Sequence, residues 1–320
     1  MLFPENTHPQ RIPVVVILGP TAVGKTEIAL QLAEHLEGEI VSADSRLFYI
    51  EMDIGTAKPT PSDQRRVPHH LIDVTPPDQT WSLALFQQCA RQAINDIYAH
   101  DRLPFLVGGS GQYVRAVIEE WDIPKVEPDP ALRNALENWA AHISPQGLYQ
   151  RLAVLDPTAA AQIDPRNLRR TIRALEVILR TGKRFSSQRQ QRTSPYHLLQ
   201  LGLWRPRQEL YERIDRRIEA QISAGLVKEV ENLLSKGYAP DLPAFSAIGY
   251  REMIAYLQGM VTMDEAIIQM KRTSRVFVRR QANWFKATDP AIRWFQVGPQ
   301  TIGEMEKVIK EWINDIRNSR

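Results

Sequence analysis

Gly19-Pro20-Thr21-Ala22-Val23-Gly24-Lys25-Thr26 follows the apolar run Pro13-Val14-Val15-Val16-Ile17-Leu18. It precedes a segment, Glu27 to Glu37, in which Ile28, Leu32 and Leu36 recur at helical spacing. A strand, a loop of pattern G-x-x-x-x-G-K-[ST] and a helix, in that order, make a phosphate-binding loop. The glycines let the backbone curl until several N–H groups face one anion, and the helix N-terminus adds partial positive charge. Lys25 can reach the distal phosphate, and the Thr26 hydroxyl can be a ligand for Mg²⁺. The stretch specifies a bound di- or triphosphate and leaves open what is done with it.

Outward from the loop, strands alternate with helices. Glu39-Ile40-Val41-Ser42 reads as strand two and His70-Leu71-Ile72-Asp73-Val74 as strand three. A helix with Leu83, Phe86, Ala90, Ala93 and Ile97 on one face follows, then the apolar run Pro104-Phe105-Leu106-Val107. This is an α/β pattern: a P-loop NTPase-like parallel sheet with helices on both faces. Ligands of such sheets sit at the carboxyl ends of the strands. Three polar clusters fall there: the phosphate loop, Ser42 to Arg46, and Gly108-Gly109-Ser110-Gly111.

After Trp121 the texture changes. Pro124, Pro128 and Pro130 mark a linker, and Ala131 to Arg192 reads as helices without strands. Strand character returns at Tyr196 to Leu203, and from Gln208 onward the chain reads as mostly helical. The expected organisation is a catalytic core of residues 1–122 and 196–320, interrupted by an all-helical insertion at 123–195.

With 320 residues, 43% of them apolar and 24% charged, the composition is that of a soluble globular protein. A single cysteine, Cys89, excludes an intramolecular disulfide and a cysteine-based zinc site, and fits a small buried residue of an amphipathic helix. Met1 to Pro13 lacks the apolar core of a secretory leader, and no apolar run approaches the ~20 residues that cross a bilayer. A cytoplasmic protein without membrane contact is expected. Net charge is only +3, but it is unevenly placed. Arg166 to Arg192 carries nine Arg or Lys and one acid, Glu176, and Lys271 to Lys286 has no acid at all. Such one-signed runs suit a polyanion partner better than a solvated face, which usually mixes both signs.

Asp44, at the end of strand two, faces the phosphate loop, where a carboxylate can hold Mg²⁺, act as a general base or simply cap a turn. Asp73 is a rival position. Phe105-Leu106-Val107 ends in Gly108-Gly109-Ser110 rather than a Walker-B acid, which argues against a motor or switch ATPase. These glycines permit close approach of backbone to a ligand, and Ser110 can hydrogen-bond it. Arg166, Arg169, Arg170 and Arg173 share one helical face that can follow a nucleic-acid backbone, over an interior of Leu168, Ile172, Leu175, Ile178 and Leu179. Of Arg213 and Arg217, one can clamp a second phosphate while the other pairs with Asp215 or Glu212. Ser246-Ala247-Ile248-Gly249-Tyr250-Arg251 offers amides, a ring and a cation suited to RNA, or an ordinary helix start in which Tyr250 packs inward.

These runs together resemble the tRNA dimethylallyltransferase family, of bacterial type: the loop at Gly19–Thr26, Ser42-Ala43-Asp44-Ser45-Arg46, Met52-Asp53-Ile54-Gly55-Thr56-Ala57-Lys58-Pro59, His69 to Asp73, Gly108-Gly109-Ser110, Arg169 to Glu176, and Ile248-Gly249-Tyr250. The likeness spans about Pro13 to Phe285, and Met52 to Pro59 sets it apart from phosphate-loop kinases. The resemblance implies transfer of a dimethylallyl group from its diphosphate to N6 of the adenosine 3′ of the anticodon, in tRNAs reading codons that begin with U. It implies that Asp44 is the base, with Lys25 and Arg217 also catalytic. Gly19, Pro20, Thr21, Ala22, Val23, Gly24, Lys25 and Thr26, with Ser110 and Arg217, would bind the diphosphate, and Mg²⁺ would sit near Thr26. Contacts to the tRNA anticodon stem-loop would come from Asp44, Ser45, Arg46 and Leu47, from Ser110, from Arg166, Asn167, Leu168, Arg169 and Arg170, and from Ser246 to Arg251. Tyr250 could stack on a displaced base, and the protein is expected to act as a monomer. Ser110 stands where the family usually has threonine, and Asp164-Pro165-Arg166-Asn167 departs from the commoner Asn-Asp form. Two other readings stay open: a small-molecule or nucleotide kinase, and an RNA-binding protein with a vestigial loop.

Overall fold

The computed structural model describes residues 11–124, 126–188 and 194–319. The head of the chain, read above for a leader, and Arg189 and Arg192 of the first basic run lie outside the described residues. The run of β-branched residues forms strand β1 (Ile12–Leu18), buried from Val14 to Leu18. Its side chains alternate between two cores. Val15 and Ile17 join one, Val14, Val16 and Leu18 the other, so both faces of the sheet are covered. Each such burial stabilises by roughly 1.5–3 kcal/mol.

Along the chain follow α1 (Lys25–His35), β2 (Gly38–Ser42), α2 (Pro61–Arg66), β3 (His69–His70), α3 (Leu83–Ala99), β4 (Leu103–Gly108) and α4 (Gly111–Ile118). Helices α5 (Pro130–Ile143), α6 (Pro145–Leu155), α7 (Pro157–Ala161) and α8 (Leu168–Thr181) come next. The last stretch is β5 (Tyr196–Trp204), α9 (Arg207–Ser223), α10 (Leu226–Ser235), α11 (Tyr250–Leu257), α12 (Met263–Gln281), β6 (Ile292–Gln296) and α13 (Thr301–Asn318). Among the described residues the six strands are all parallel, in the order β3-β2-β4-β1-β5-β6. Helices α3 and α4 cover one face; α1 and α9 to α13 cover the other. No described helix is long and apolar enough to cross a membrane.

Register decides where the chemistry lies. Leu18 pairs with Gly108 and with Gly202, and Ser42 pairs with Val107. The carboxyl ends of β1, β2 and β4 are therefore level, and their loops share one edge of the sheet.

Two sequence expectations about strands need correction. The third strand was expected over His70–Val74 but ends at His70, because Leu71 (φ 64°) and Asp73 (φ 54°) adopt left-handed backbone. The stretch read as mostly helical after Gln208 also contains β6, a short edge strand whose exposed Arg293 and Gln296 break the apolar run that signals a strand.

The chain divides into two compact units, Met1–Ile118 with Ser194–Arg320, and Glu119–Thr193. The second is helical. Asp129, Ser144, Asp156 and Asn167 cap α5 to α8, each accepting a backbone N–H of the first turn, and three of these caps are followed by proline. Leu136, Leu148, Leu152, Ile163, Ile172 and Leu175 form its core. Beside that core lies Glu176, fully buried, which accepts from the Asp129 amide (2.8 Å), from Arg133 (2.9 Å twice) and from Arg173 (2.6 Å). Burial pushes its carboxyl up, but the bonds from Arg133, Asp129 and Arg173 prevail and hold it down at about 2.

Candidate active site

The phosphate loop owes its shape to two kinds of constraint. Gly24 (φ 109°) and Ala22 (φ 65°) adopt left-handed backbone, and a Cβ on Gly19 would lie 2.6 Å from the Leu203 carbonyl oxygen. Cations then take its carbonyls: Lys25 Nζ donates to Pro20 (2.8 Å), Arg213 Nε to Ala22 (2.7 Å) and Arg205 Nε to Val23 (2.9 Å). The first-turn N–H groups of α1 have no intrahelical acceptor and are available to an anion. Val23 is buried, while Pro20, Thr21, Ala22, Gly24 and Lys25 are half-buried and Thr26 is exposed.

Three groups expected to act together are mutually close. Asp44 and Arg217 both act electrostatically on Lys25, and Asp44 acts on Arg217. Burial pulls the Lys25 ammonium down from 10.5 to about 8, Asp44 opposes that, and Arg217 adds to it. The Arg217 guanidinium is also lowered by burial, against the pull of Asp44, and its Nη2 lies 3.4 Å from the Thr56 carbonyl. A site with two cations beside a carboxylate is built to receive a multiply charged anion.

The Lys25 value sets a prediction. Near pH 8 the free protein holds Lys25 partly neutral, and a bound diphosphate favours the ammonium form, raising its pKa. Diphosphate binding at pH 8–9 should therefore take up protons, and affinity should fall as pH rises above about 8. Calorimetry in buffers of different ionisation enthalpy measures the uptake; Lys25→Met should abolish it.

Asp44 Oδ1 accepts the Arg46 amide (3.0 Å), a turn that fixes the carboxylate at the end of β2. Arg46 in turn donates to the carbonyls of Pro243 (3.5 Å) and Ala244 (3.4 Å) and to Ser246 Oγ (3.2 Å). Two segments expected to contact RNA, Asp44 to Leu47 and Ser246 to Arg251, are thus joined. Ser45, Arg46 and Leu47 are half-buried, and Ser246 and Arg251 are exposed. Of the two readings of Tyr250, inward packing at a helix start is the one the structure bears out, against stacking on a base. Tyr250 is fully buried against Phe245 and its hydroxyl donates to Glu229 (2.5 Å), so its ring does not reach a displaced base. Ala247 and Gly249 are buried with it, and Ile248 is half-buried.

The protein's own packing requires glycine at Gly108, which ends β4, and at Gly109. A Cβ on Gly108 would lie 2.4 Å from the Ala43 carbonyl oxygen, and one on Gly109 2.5 Å from Gln281 Nε2 and 3.3 Å from Lys25 Nζ. They let this loop close onto the Asp44 turn and Lys25. Half-buried Ser110 starts α4, its carbonyl accepting from Tyr113 (2.9 Å) and Val114 (3.1 Å).

The run Met52–Pro59 is a held loop. Glu229 accepts the amides of Asp53 (3.0 Å), Ile54 (2.7 Å) and Gly55 (3.2 Å), and a Cβ on Gly55 would lie 2.3 Å from the Tyr250 ring. Gln221 donates to the Ile54 and Gly55 carbonyls. The loop thereby presents the Thr56 carbonyl to Arg217. Asp73, the rival acid, is bonded to Lys58 instead. Nothing local in the sequence marks Glu229, Gln221, Arg205 or Gln281 for these tasks.

In the helical unit the four-arginine face does not form. Arg166 precedes α8 and pairs with Asp164 at 3.1 Å, and Arg173 points inward to Glu176. Arg169 and Arg170 are exposed on the first turn of α8, Asn167 caps it, and Leu168 is half-buried beneath. Leu179, expected inside, is 56% exposed.

Known proteins resemble this chain along most of its length. The family model described as IPP transferase matches residues 47–288. A tRNA dimethylallyltransferase of Roseiflexus sp. (strain RS-1) is 49% identical over 303 residues, covering 95% of this chain and 99% of that protein. The crystal structure of the full-length tRNA isopentenylpyrophosphate transferase from Bacillus halodurans superposes with a TM-score of 0.72 at 41% identity, over 96% of this chain and 99% of that one. The tRNA delta(2)-isopentenylpyrophosphate transferase from Staphylococcus epidermidis gives 0.69 at 33% identity, over 95% and 99%. With a matching profile over three quarters of its length and relatives that align end to end, this chain belongs to the IPP transferase family.

Proposed function

We propose that the protein transfers a dimethylallyl group from dimethylallyl diphosphate to N6 of the adenosine 3′ of the anticodon, in tRNAs reading codons that begin with U, and works as a cytoplasmic monomer. The observation that carries this is the meeting of Asp44 with Lys25 and Arg217 beside the phosphate loop. The exocyclic adenine amine is a weak nucleophile because its lone pair is delocalised into the ring. As N6 attacks the allylic carbon, the carbon–oxygen bond to diphosphate breaks and its electron pair leaves with the oxygen. The N6 proton passes to the Asp44 carboxylate. Loop amides, Lys25 and Arg217 stabilise the charge growing on the departing diphosphate. The base must leave its stack to reach the carboxylate.

Thr26 is the ligand this chain offers a Mg²⁺ ion. No described cluster of three or more His, Cys, Asp or Glu forms a metal cage. A sparse oxygen donor set fits a hard cation, which would be carried mainly by diphosphate and water and would add positive charge near the leaving group. Incubation with unmodified tRNA and dimethylallyl diphosphate should add an isopentenyl mass to adenosine, read by mass spectrometry of the nucleosides; unmodified adenosine would overturn the proposal.

Arg169 and Arg170, exposed on α8, are assigned to tRNA phosphates. Replacing both with alanine should weaken tRNA binding and flatten the plot of log affinity against log salt by about 1 to 2. An unchanged slope in binding titrations would remove them from the interface.

A further inference from the structure

Gln281 is the last residue of α12, 5% exposed, on a helix whose neighbouring Arg279 and Arg280 face solvent. Its side-chain amide is spent on two backbone groups from loops that follow different strands, β1 and β4. Oε1 accepts the Thr21 amide of the phosphate loop (2.8 Å), and Nε2 donates to the Gly109 carbonyl (3.0 Å). The amide has one workable orientation, since a backbone N–H only donates and a carbonyl only accepts. Gly109 is glycine at the point of contact, where a Cβ would press into Nε2.

The bridge completes a pattern. Around the loop from Pro20 to Val23, the carbonyls of Pro20, Ala22 and Val23 are held by Lys25, Arg213 and Arg205, and the Thr21 amide is held by Gln281. Gln281 alone among these four ties the loop to the Gly109–Ser110 segment. Helix α12 is itself anchored to α9 by Arg275, which pairs with Asp215 (2.7 Å) and lies over the Tyr211 ring. The protein's own groups therefore hold the loop in shape, and a site held in this way spends less binding energy on ordering.

We infer that Gln281 is a positioning residue for the diphosphate, latching the phosphate loop to the Gly109–Ser110 segment. It acts through the backbone of both elements and takes no part in bond making. The inference rests on the proposed function only in naming diphosphate as the ligand.

The test is calorimetric binding of inorganic diphosphate to the full chain, with steady-state kinetics alongside. Gln281→Met keeps the volume and removes both bonds. It should weaken diphosphate binding about tenfold or more, raise KM for dimethylallyl diphosphate by a similar factor, and leave KM for tRNA within twofold. Gln281→Glu supplies the control that a packing role would not move. A protonated carboxyl has one acceptor and one donor, as the amide does, whereas the carboxylate has acceptors only and faces the Gly109 carbonyl. Relative to wild type at each pH, Gln281→Glu should bind well near pH 5 and lose affinity as pH rises toward 8. Should Gln281→Met fail to fold, the Gln281→Glu profile decides. A Gln281→Met protein with wild-type affinity, or a Gln281→Glu protein whose ratio to wild type is flat with pH, overturns the latch alone. Wild-type protein that binds no diphosphate overturns the proposed function together with it.

Discussion

An Asp44→Ala protein should bind tRNA within several-fold of wild type and yet show transfer reduced by about a thousandfold or more. General-base removal typically costs ~10²–10⁴ in rate, and the higher part of that range is expected here because the nucleophile is a conjugated amine. The substitution deletes a half-buried carboxylate whose structural commitment is one turn bond from the Arg46 amide. Arg46 keeps its bonds to Pro243, Ala244 and Ser246, so the turn has independent support. Single-turnover transfer, alongside tRNA binding, separates chemistry from recognition. A fully active Asp44→Ala protein would remove the base from the mechanism.

Arg217→Ala should lower kcat/KM for dimethylallyl diphosphate by about 10²–10³-fold, the usual cost of one preorganised donor to a developing anion. Two features place it at that level rather than at the near-zero worth of a surface charge. Its guanidinium is withdrawn from water, so burial lowers its pKa, and the low-dielectric setting strengthens its pull on a phosphate oxygen. It is also held in place by the Thr56 carbonyl, which the Glu229 nest presents. Arg217→Lys keeps the charge but loses the planar fork, and should recover only part of the loss. Equal melting temperatures for Arg217→Ala and wild type would confirm that the defect is in the site; unchanged kinetics would exclude Arg217 from the diphosphate subsite.

Much of this was legible in the linear order of residues. Val14 to Leu18 reads as a buried strand, and Gly24-Lys25-Thr26 as the opening of a helix toward an anion. Each of these signals lies within a few residues of the structure it specifies. Errors arose where the deciding contact is far along the chain. Arg173 carries the spacing of an RNA-facing helix, yet a buried Glu176 with the Asp129 amide and Arg133 turns it inward. Tyr250 has the composition of a stacking platform, yet Glu229 and Gly55 take its hydroxyl and ring. His70–Val74 has the apolar content of a strand, yet its backbone turns left-handed to bring Asp73 to Lys58.

Local pattern was enough to specify a phosphate loop at the edge of a parallel sheet, because periodicity, glycine placement and capping act over one or two turns of chain. The identity of the groups that hold that loop was a matter of long-range packing. Gln281, Arg205, Arg213 and Glu229 lie 172 to 260 positions from the backbone atoms they bind. A glutamine or glutamate at such a distance carries no mark of its partner; the folded backbone supplies the partner by leaving a buried N–H or carbonyl that must be satisfied.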